Sequence, residues 1–285
     1  MESVLGKTNK TVSRIGFGGA TAGIPNYLGE FDPDNQSNRD EIIAAIGYAY
    51  ENGITYFDTA PGYGDGKSEE IFGQALSAFN PATYFLATKA APCSARDLRI
   101  SLEKSLERLQ RDYVDLLQIH GTVYQADQLD LILKSGGMLD EMENLRDEGL
   151  IRHLGFTGEA QNPPFYQLLH SNRFDVMQIA YNFIFQHPYD PSWQSGSLYD
   201  AERQKMGIVA MRTMTSGIFQ KWIDQVHPDN QFDYSPALLQ FTLSNPLIDV
   251  ALIGMRSVEQ VQQNIAICND TDHRIDLDTL HNRKV

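Results

Sequence analysis

The chain has 285 residues, 42% of them hydrophobic, and a formal net charge of −14. That length accommodates one large core, and the acidic balance argues against nucleic acid or an anionic membrane as a partner. No apolar run approaches the length of a membrane span. Met1-Glu2-Ser3-Val4 does not open a secretory signal. The two cysteines, Cys93 and Cys268, are too few for a disulfide framework and lack metal-ligand spacing. A reducing, cytoplasmic setting is the expectation.

In chain order, Leu5 to Val12 reads as a short hairpin with a polar turn, and Arg14 to Gly19 as a first strand thinned by glycines. Residues 20–37 read as a loop. Asn38-x-x-Glu41 resembles a capping box, with Ile42, Ala45, Ile46 and Ala49 behind it at helical spacing and Gly53 as the stop. Ile54 to Phe57 is a β-branched and aromatic run that ends on Asp58, with a turn through Pro61 and Gly62 to Tyr63. Alone, that stretch reads equally well as a strand delivering an acid to a site or as a solvated loop in which Asp58 caps the next helix. A helix over 68–79 follows, then a strand from Tyr84 to Lys89, a leucine-faced helix over 95–110, and a strand from Asp112 to Ile119 ending on His120.

Residues 121–133 read as a long loop. Helices are expected over 139–147, 163–172, 196–206, 235–244 and 257–267, with strands over 152–156, 175–181, 208–211 and 249–253 between them. Residues 212–234 read as a second long loop, and 268–285 as a short polar tail. Strands and helices alternating at this spacing predict one (β/α)₈ barrel domain over 1–285, preceded by the hairpin. A doubly wound open sheet shares the alternation, but no Gly-x-Gly-x-x-Gly joins a first strand to a first helix.

On a barrel, Asp58, Tyr63, Lys89 and His120 lie at the ends of neighbouring strands and converge on one mouth. Each has a bland reading alone; a strand-end lysine usually snorkels to solvent. Together they make one chemistry. An ammonium beside a phenol favours phenolate and lowers its pKa. A carboxylate holds that ammonium, and a histidine orients a carbonyl oxygen. Tyr63 then donates the proton, Lys89 tunes it, Asp58 holds Lys89, and His120 positions substrate. That suits reduction of a carbonyl, with the hydride drawn from a cofactor.

The motifs Phe57-Asp58-Thr59-Ala60-x-x-Tyr63, Thr88-Lys89 and Asp112-Tyr113-Val114-Asp115-Leu116-Leu117-Gln118-Ile119-His120 resemble the aldo-keto reductase family of NADP(H)-dependent barrel enzymes. The resemblance runs from the Leu5-Gly6-Lys7 hairpin to Asn264. It implies NADP(H) ahead of NAD(H), a small carbonyl or alcohol substrate, and the catalytic roles given above. It also implies a cofactor set. Thr157 and Gln178 hold the nicotinamide carboxamide, with Gly158 where the family has asparagine. Met211 takes the place of a stacking tyrosine, and Arg212, next in the chain, reads equally well as facing the pyrophosphate or the surface. Gly254 and Gln260 stand where some members carry Lys and Arg for the 2′-phosphate, with Arg256 as the substitute cation at a helix opened by Ser257. Asn264 matches the adenine-side asparagine, while Gln263 replaces an acid.

Other classes fit less well. A metal hydrolase would want His-x-His at a strand end, and a glycosidase would want paired carboxylates, whereas Asp58 faces a lysine. The same residues would also serve a sugar or polyol dehydrogenase working oxidatively. They would serve equally an NADP(H)-binding regulatory protein, like the potassium-channel β-subunits of that family.

Overall fold

The computed structural model describes residues 2–277 and 279. Two short antiparallel strands come first, β1 (Glu2–Val4) and β2 (Thr11–Ser13). Eight parallel strands then close into a barrel, each beside the next in sequence. They are β3 (Ile15–Gly18), β4 (Tyr56–Asp58), β5 (Phe85–Ala90), β6 (Val114–Ile119), β7 (Ile151–Gly158), β8 (Val176–Ala180), β9 (Gly207–Met211) and β10 (Val250–Gly254), and β10 pairs back onto β3. The helices are α1 (Ala20–Gly23), α2 (Gln36–Glu51), α3 (Lys67–Leu76), α4 (Ala95–Leu109), α5 (Ala126–Leu133), α6 (Met138–Asp147), α7 (Pro163–Leu169), α8 (Ser197–Arg203), α9 (Ile218–Val226), α10 (Ser235–Leu243) and α11 (Val258–Asn269). Among the described residues, no helix is long and apolar enough to cross a membrane.

The expected hairpin, barrel strands and long helices are all present, with ends shifted by a few residues. Four details differ. The cap of α2 is Asn35, not Asn38: Asn35 Oδ1 accepts from the backbone N–H groups of Ser37 and Asn38, while Asn38 donates its own amide to Asp32 O. Each stretch read as a long loop holds a helix: α1 within 20–37, α5 within 121–133 and α9 within 212–234. α5 buries only Leu129 and Ile132, and α9, although Ile218, Phe219, Trp222, Ile223 and Val226 recur at helical spacing, buries none of its residues. Of the expected tail, residues 278 and 280–285 lie outside the described residues.

Strand residues alternate between the inside of the barrel and the helix layer. The lower interior is apolar: Tyr56, Phe85, Leu116, Val176, Val209 and Val250 cluster there, and the hairpin closes the base with Leu5 and Val12. Gly6 makes that closure possible. Its φ is +44°, and a Cβ there would stand 2.1 Å from Gly207 N. Acids also fasten the base: Asp115, Asp175 and Asp249 accept backbone N–H bonds from Leu86, Leu154 and Ile208 on neighbouring strands. A larger apolar layer packs the outer strand faces against the helices, including Leu98, Leu102, Leu106 and Leu109 of α4. Further along the inward rows of β4, β5, β6 and β8 the character changes from apolar to polar, while β9 and β10 stay apolar at Met211 and Leu252, and that change builds the site.

Candidate active site

Two steps along the inward rows of β4, β5, β6 and β8 from the apolar layer stand Asp58, Lys89, Gln118 and Gln178, each no more than 1% exposed. Burying an acid and an amine here requires that they meet. Lys89 Nζ lies 2.5 Å from Asp58 Oδ1 and donates a second bond, of 2.8 Å, to Thr59 O. Gln118 donates Nε2–H to the other oxygen, Asp58 Oδ2, at 3.0 Å. Both carboxylate oxygens accept, the arrangement of an anion beside a cation, although burial outweighs Lys89 and the two glutamine amides and moves the Asp58 pKa up. Burial works against the Lys89 ammonium, but Asp58 and Tyr63 outweigh it and its pKa moves up.

Tyr63 and His120 lie above this pair, on the loops that leave β4 and β6, and both are partly exposed. Lys89 Nζ is 4.8 Å from the centre of the Tyr63 ring. The Tyr63 and His120 rings meet edge to face, 5.5 Å between centres. His120 is anchored by its backbone N–H, which donates to Ala90 O at 2.8 Å. Burial, seconded by Lys89, lowers the imidazole pKa to about 3, so His120 is neutral at physiological pH. For Tyr63 the balance differs from the expectation. Lys89 does pull the phenol pKa down, but burial pushes harder and the net shift is upward. The phenol is a protonated donor, and its ionisation is eased rather than achieved by Lys89.

The four side chains open into a cavity of about 430 Å³ whose walls include Thr157, Gln178, Met211, Arg212 and Gly254. Thr157 Oγ1 donates to Gly121 O (2.8 Å) and accepts from Gly121 N–H (2.9 Å), which ties β7 to the segment after His120 and leaves one lone pair unused. Gln178 directs Nε2 at Met211 Sδ, 3.8 Å away, and its buried Oε1 has no partner. Gly158 lies beside Thr157 with Phe165 against it: a Cβ would approach that ring to 2.6 Å, so no asparagine fits. Arg212 is paired with Glu159 Oε1 at 2.7 Å. Among the described residues, no group of three or more His, Cys, Asp or Glu is placed to hold a metal.

Arg256, Ser257, Gln260 and Asn264 do not line this cavity. Ser257 caps α11, its Oγ accepting from Gln260 N–H. Gln260 Oε1 accepts from Arg256 N–H, and Asn264 donates to Gln260 O. The Arg256 guanidinium lies over Phe31, 4.4 Å from the ring centre. Its Nε donates to Thr21 O at 3.0 Å and its Nη2 to Tyr27 O. The expectation had this arginine facing a ligand. The structure adds that one edge of it already fastens the 20–31 segment, whose Ile24, Tyr27 and Leu28 wall the cavity.

The closed parallel barrel that carries these side chains matches one known family. Its sequence pattern matches residues 14–238. The chain belongs to the Aldo/keto reductase family. As an aldo-keto reductase it is an oxidoreductase. It is 28% identical to L-galactose dehydrogenase of Arabidopsis thaliana over 94% of this chain and 88% of that protein. Its fold superposes on an aldo/keto reductase from Klebsiella pneumoniae in complex with NADP and acetate, with a TM-score of 0.72 and 23% identity over 98% of this chain and 95% of that one. For the aldo-keto reductase of Bacillus halodurans in its holo form the TM-score is 0.74, with 21% identity over 98% and 95% of the two chains.

Sequence reasoning missed Gln118, Glu159 and the carbonyl of Thr59 as parts of the site. A signal for Gln118 was present: counting back by two from His120 along β6 places Gln118 on the same inward row. Glu159 and Thr59 O carried no comparable mark, since a loop acid and a backbone carbonyl acquire their roles only from the fold.

Proposed function

We propose that this aldo-keto reductase uses NADP(H) to reduce aldehyde or ketone carbonyls to alcohols, with Tyr63 as the proton donor. The observation that carries the reading is the buried Asp58–Lys89 pair set beneath the Tyr63 phenol and flanked by a neutral His120. His120 donates to the carbonyl oxygen and places it beside Tyr63. As charge develops on that oxygen, Tyr63 gives up its proton, and Lys89 stabilises the phenolate left behind. Asp58 keeps Lys89 charged and pointed at the phenol. The nicotinamide of a bound dinucleotide supplies the hydride.

The residues present suit such a cofactor. The orphaned Gln178 Oε1 accepts from a carboxamide –NH₂, and Thr157 has a lone pair for the same group. Met211 offers a soft apolar contact beside them. Arg212, Gly254, Arg256, Ser257, Gln260 and Asn264 make up the side that takes the phosphates and adenosine. We further take residues 1–285 as one domain that acts on small molecules in the cytoplasm, a setting that suits its two unpaired cysteines and its net charge of −14.

The test is NADPH oxidation by the purified protein across a panel of aldehydes and ketones. Turnover that depends on Tyr63 supports the reading. Nucleotide binding without turnover on any carbonyl or alcohol would overturn it in favour of a regulatory, NADP(H)-sensing role. A second reading, oxidation of a sugar or polyol, is favoured by the likeness to L-galactose dehydrogenase over nearly the whole chain. The same residues work in reverse, with the Tyr63 phenolate as base. Initial rates measured in both directions, on aldehydes with NADPH and on aldoses with the oxidised nucleotide, separate the two.

A further inference from the structure

Gln118 stands in the barrel interior with only half of its amide paired. It is wholly buried, and its Oε1 has no partner. An unsatisfied buried carbonyl is a penalty that a leucine or methionine of similar volume would avoid. The barrel wall is nevertheless cut to fit it. Its register partner on β7 is Gly155, where a Cβ would press to 3.1 Å from Gln118 Cγ. On its other side it pairs in register with Lys89. From that place its amide crosses the interior and donates to Asp58 Oδ2, while Lys89 donates to Oδ1.

We propose that Gln118 is a positioning residue of the proton relay, holding one oxygen of Asp58 so that the carboxylate neutralises only part of the Lys89 charge. A carboxylate with one donor per oxygen spreads its charge over both. Without the amide, the charge concentrates on the oxygen facing Lys89, the ammonium is cancelled more fully, and Tyr63 sees a weaker positive field. The other ionisable groups about the relay are Tyr56 below Asp58, Tyr27 and His120 beside Tyr63, and the Glu159–Arg212 pair farther along the cavity wall. None of them donates to Asp58 Oδ2, and the second amide that bears on Asp58, that of Gln178, is unchanged in the variants below.

The inference rests on Tyr63 being the proton donor, so its test includes a readout that needs no turnover. Gln118→Met removes the donor at similar volume. Gln118→Glu keeps the shape and sets a second carboxyl against Asp58. The Tyr63 ring carbon that bears the hydroxyl is followed by carbon-13 NMR with pH and identified by its loss in Tyr63→Phe. Alongside it run the pH–rate profile for carbonyl reduction and a melting curve. The expected result is a Tyr63 resonance displaced toward the neutral phenol, and a high-pH limb moved upward by on the order of one pH unit in Gln118→Met and further in Gln118→Glu. A resonance and profile that coincide with wild type in either folded variant would overturn the proposal. If wild type reduces no carbonyl, the functional reading fails, and the resonance alone decides the role of Gln118.

Discussion

Lys89 Nζ and Asp58 Oδ1 lie 2.5 Å apart with neither side chain open to water. Such a pair is a weak source of net stability, because desolvating two charges offsets most of their attraction. Its value is directional. Of the three N–H bonds on Lys89, one goes to Asp58 and one to Thr59 O, which leaves the third for the side on which Tyr63 lies. The ammonium is thus fixed in place before any substrate arrives, which is what makes its field useful to a developing phenolate.

Removing the lysine should therefore be costly in two ways. In Lys89→Met, Asp58 remains buried beside Gln118 with no countercharge, a loss of about 3–5 kcal/mol. Tyr63 also loses the positive charge that draws its pKa down, so its pKa climbs further and the high-pH limb of the rate profile moves up. A melting curve and a pH–rate profile measured together check both. An unchanged profile with full activity would remove Lys89 from the chemistry.

Tyr63→Phe should spare cofactor affinity while removing most turnover, because the phenol acts on the substrate oxygen and the carboxamide is assigned to Thr157 and Gln178. A positioned proton donor is typically worth about 10²–10⁴-fold in rate. The measurement is kcat for a good aldehyde beside the dissociation constant of NADPH. Near wild-type kcat would sink the donor assignment.

How much of this was readable in advance follows from what kind of force placed each part. The barrel strands and the long helices follow from apolar periodicity, which acts locally and is written in the chain: Leu98, Leu102, Leu106 and Leu109 define α4 whatever surrounds it. The strand-end ionisable residues were legible for the same reason, since a strand's parity fixes which residues point inward. Helices α5 and α9 were not: α5 is short and buries only Leu129 and Ile132, while α9 carries apolar residues at helical spacing (Ile218, Trp222, Val226) inside a stretch whose Gly217 and Pro228-Asp229-Asn230 flanks read as loop. Nor were the partners of Arg256. A sequence reports a cation, but only the folded chain brings Thr21 O and Tyr27 O, more than two hundred residues earlier, against it. The direction of the Tyr63 shift was misjudged on similar grounds, since pairing with Lys89 could be foreseen and the weight of burial could not.

His120 makes a prediction about acid. Its pKa is depressed to about 3 in the folded chain, against about 6.5 when unfolded. The unfolded chain therefore binds a proton that the folded chain refuses, and stability is lost progressively as pH falls from about 6.5 toward 3. His120→Gln removes that linkage. Its melting temperature should fall less steeply than that of wild type over this window, as read by calorimetry at several pH values. Parallel curves would mean that the imidazole pKa is not depressed in the folded chain.

Gly158 explains a departure from the family pattern and can be tested through its neighbour. A methyl group at this position would meet two Phe165 ring atoms at 2.6 Å. Gly158→Ala should destabilise the fold by about 1–3 kcal/mol through overpacking. Phe165→Leu in the same chain should recover part of that loss, a non-additivity expected only of groups in contact. Thermal melts of the two single variants and the double variant decide it, and simple additivity would remove Phe165 as the cause.

The last prediction concerns the phosphate that distinguishes NADPH from NADH. Arg256 stands in the turn between β10 and α11, beside the capped start of that helix. Its Nε and Nη2 hold Thr21 O and Tyr27 O. Its Nη1 appears in none of these bonds and lies 3.7 Å from where a Cβ of Gly29 would sit. A guanidinium has two usable edges, so one can hold the 20–31 segment while the other meets a 2′-phosphate. In Arg256→Ala both are lost. Slackening of the 20–31 segment weakens NADPH and NADH alike, whereas loss of the phosphate contact weakens NADPH alone. A hydrogen bond to a charged group contributes about 1.5–3 kcal/mol. The ratio of NADPH to NADH affinity should accordingly fall about 10- to 150-fold. Titration of both nucleotides into wild type and variant at fixed salt, followed by fluorescence quenching, gives that ratio directly. If it does not change, Arg256 serves the 20–31 segment only, and the phosphate is bound elsewhere.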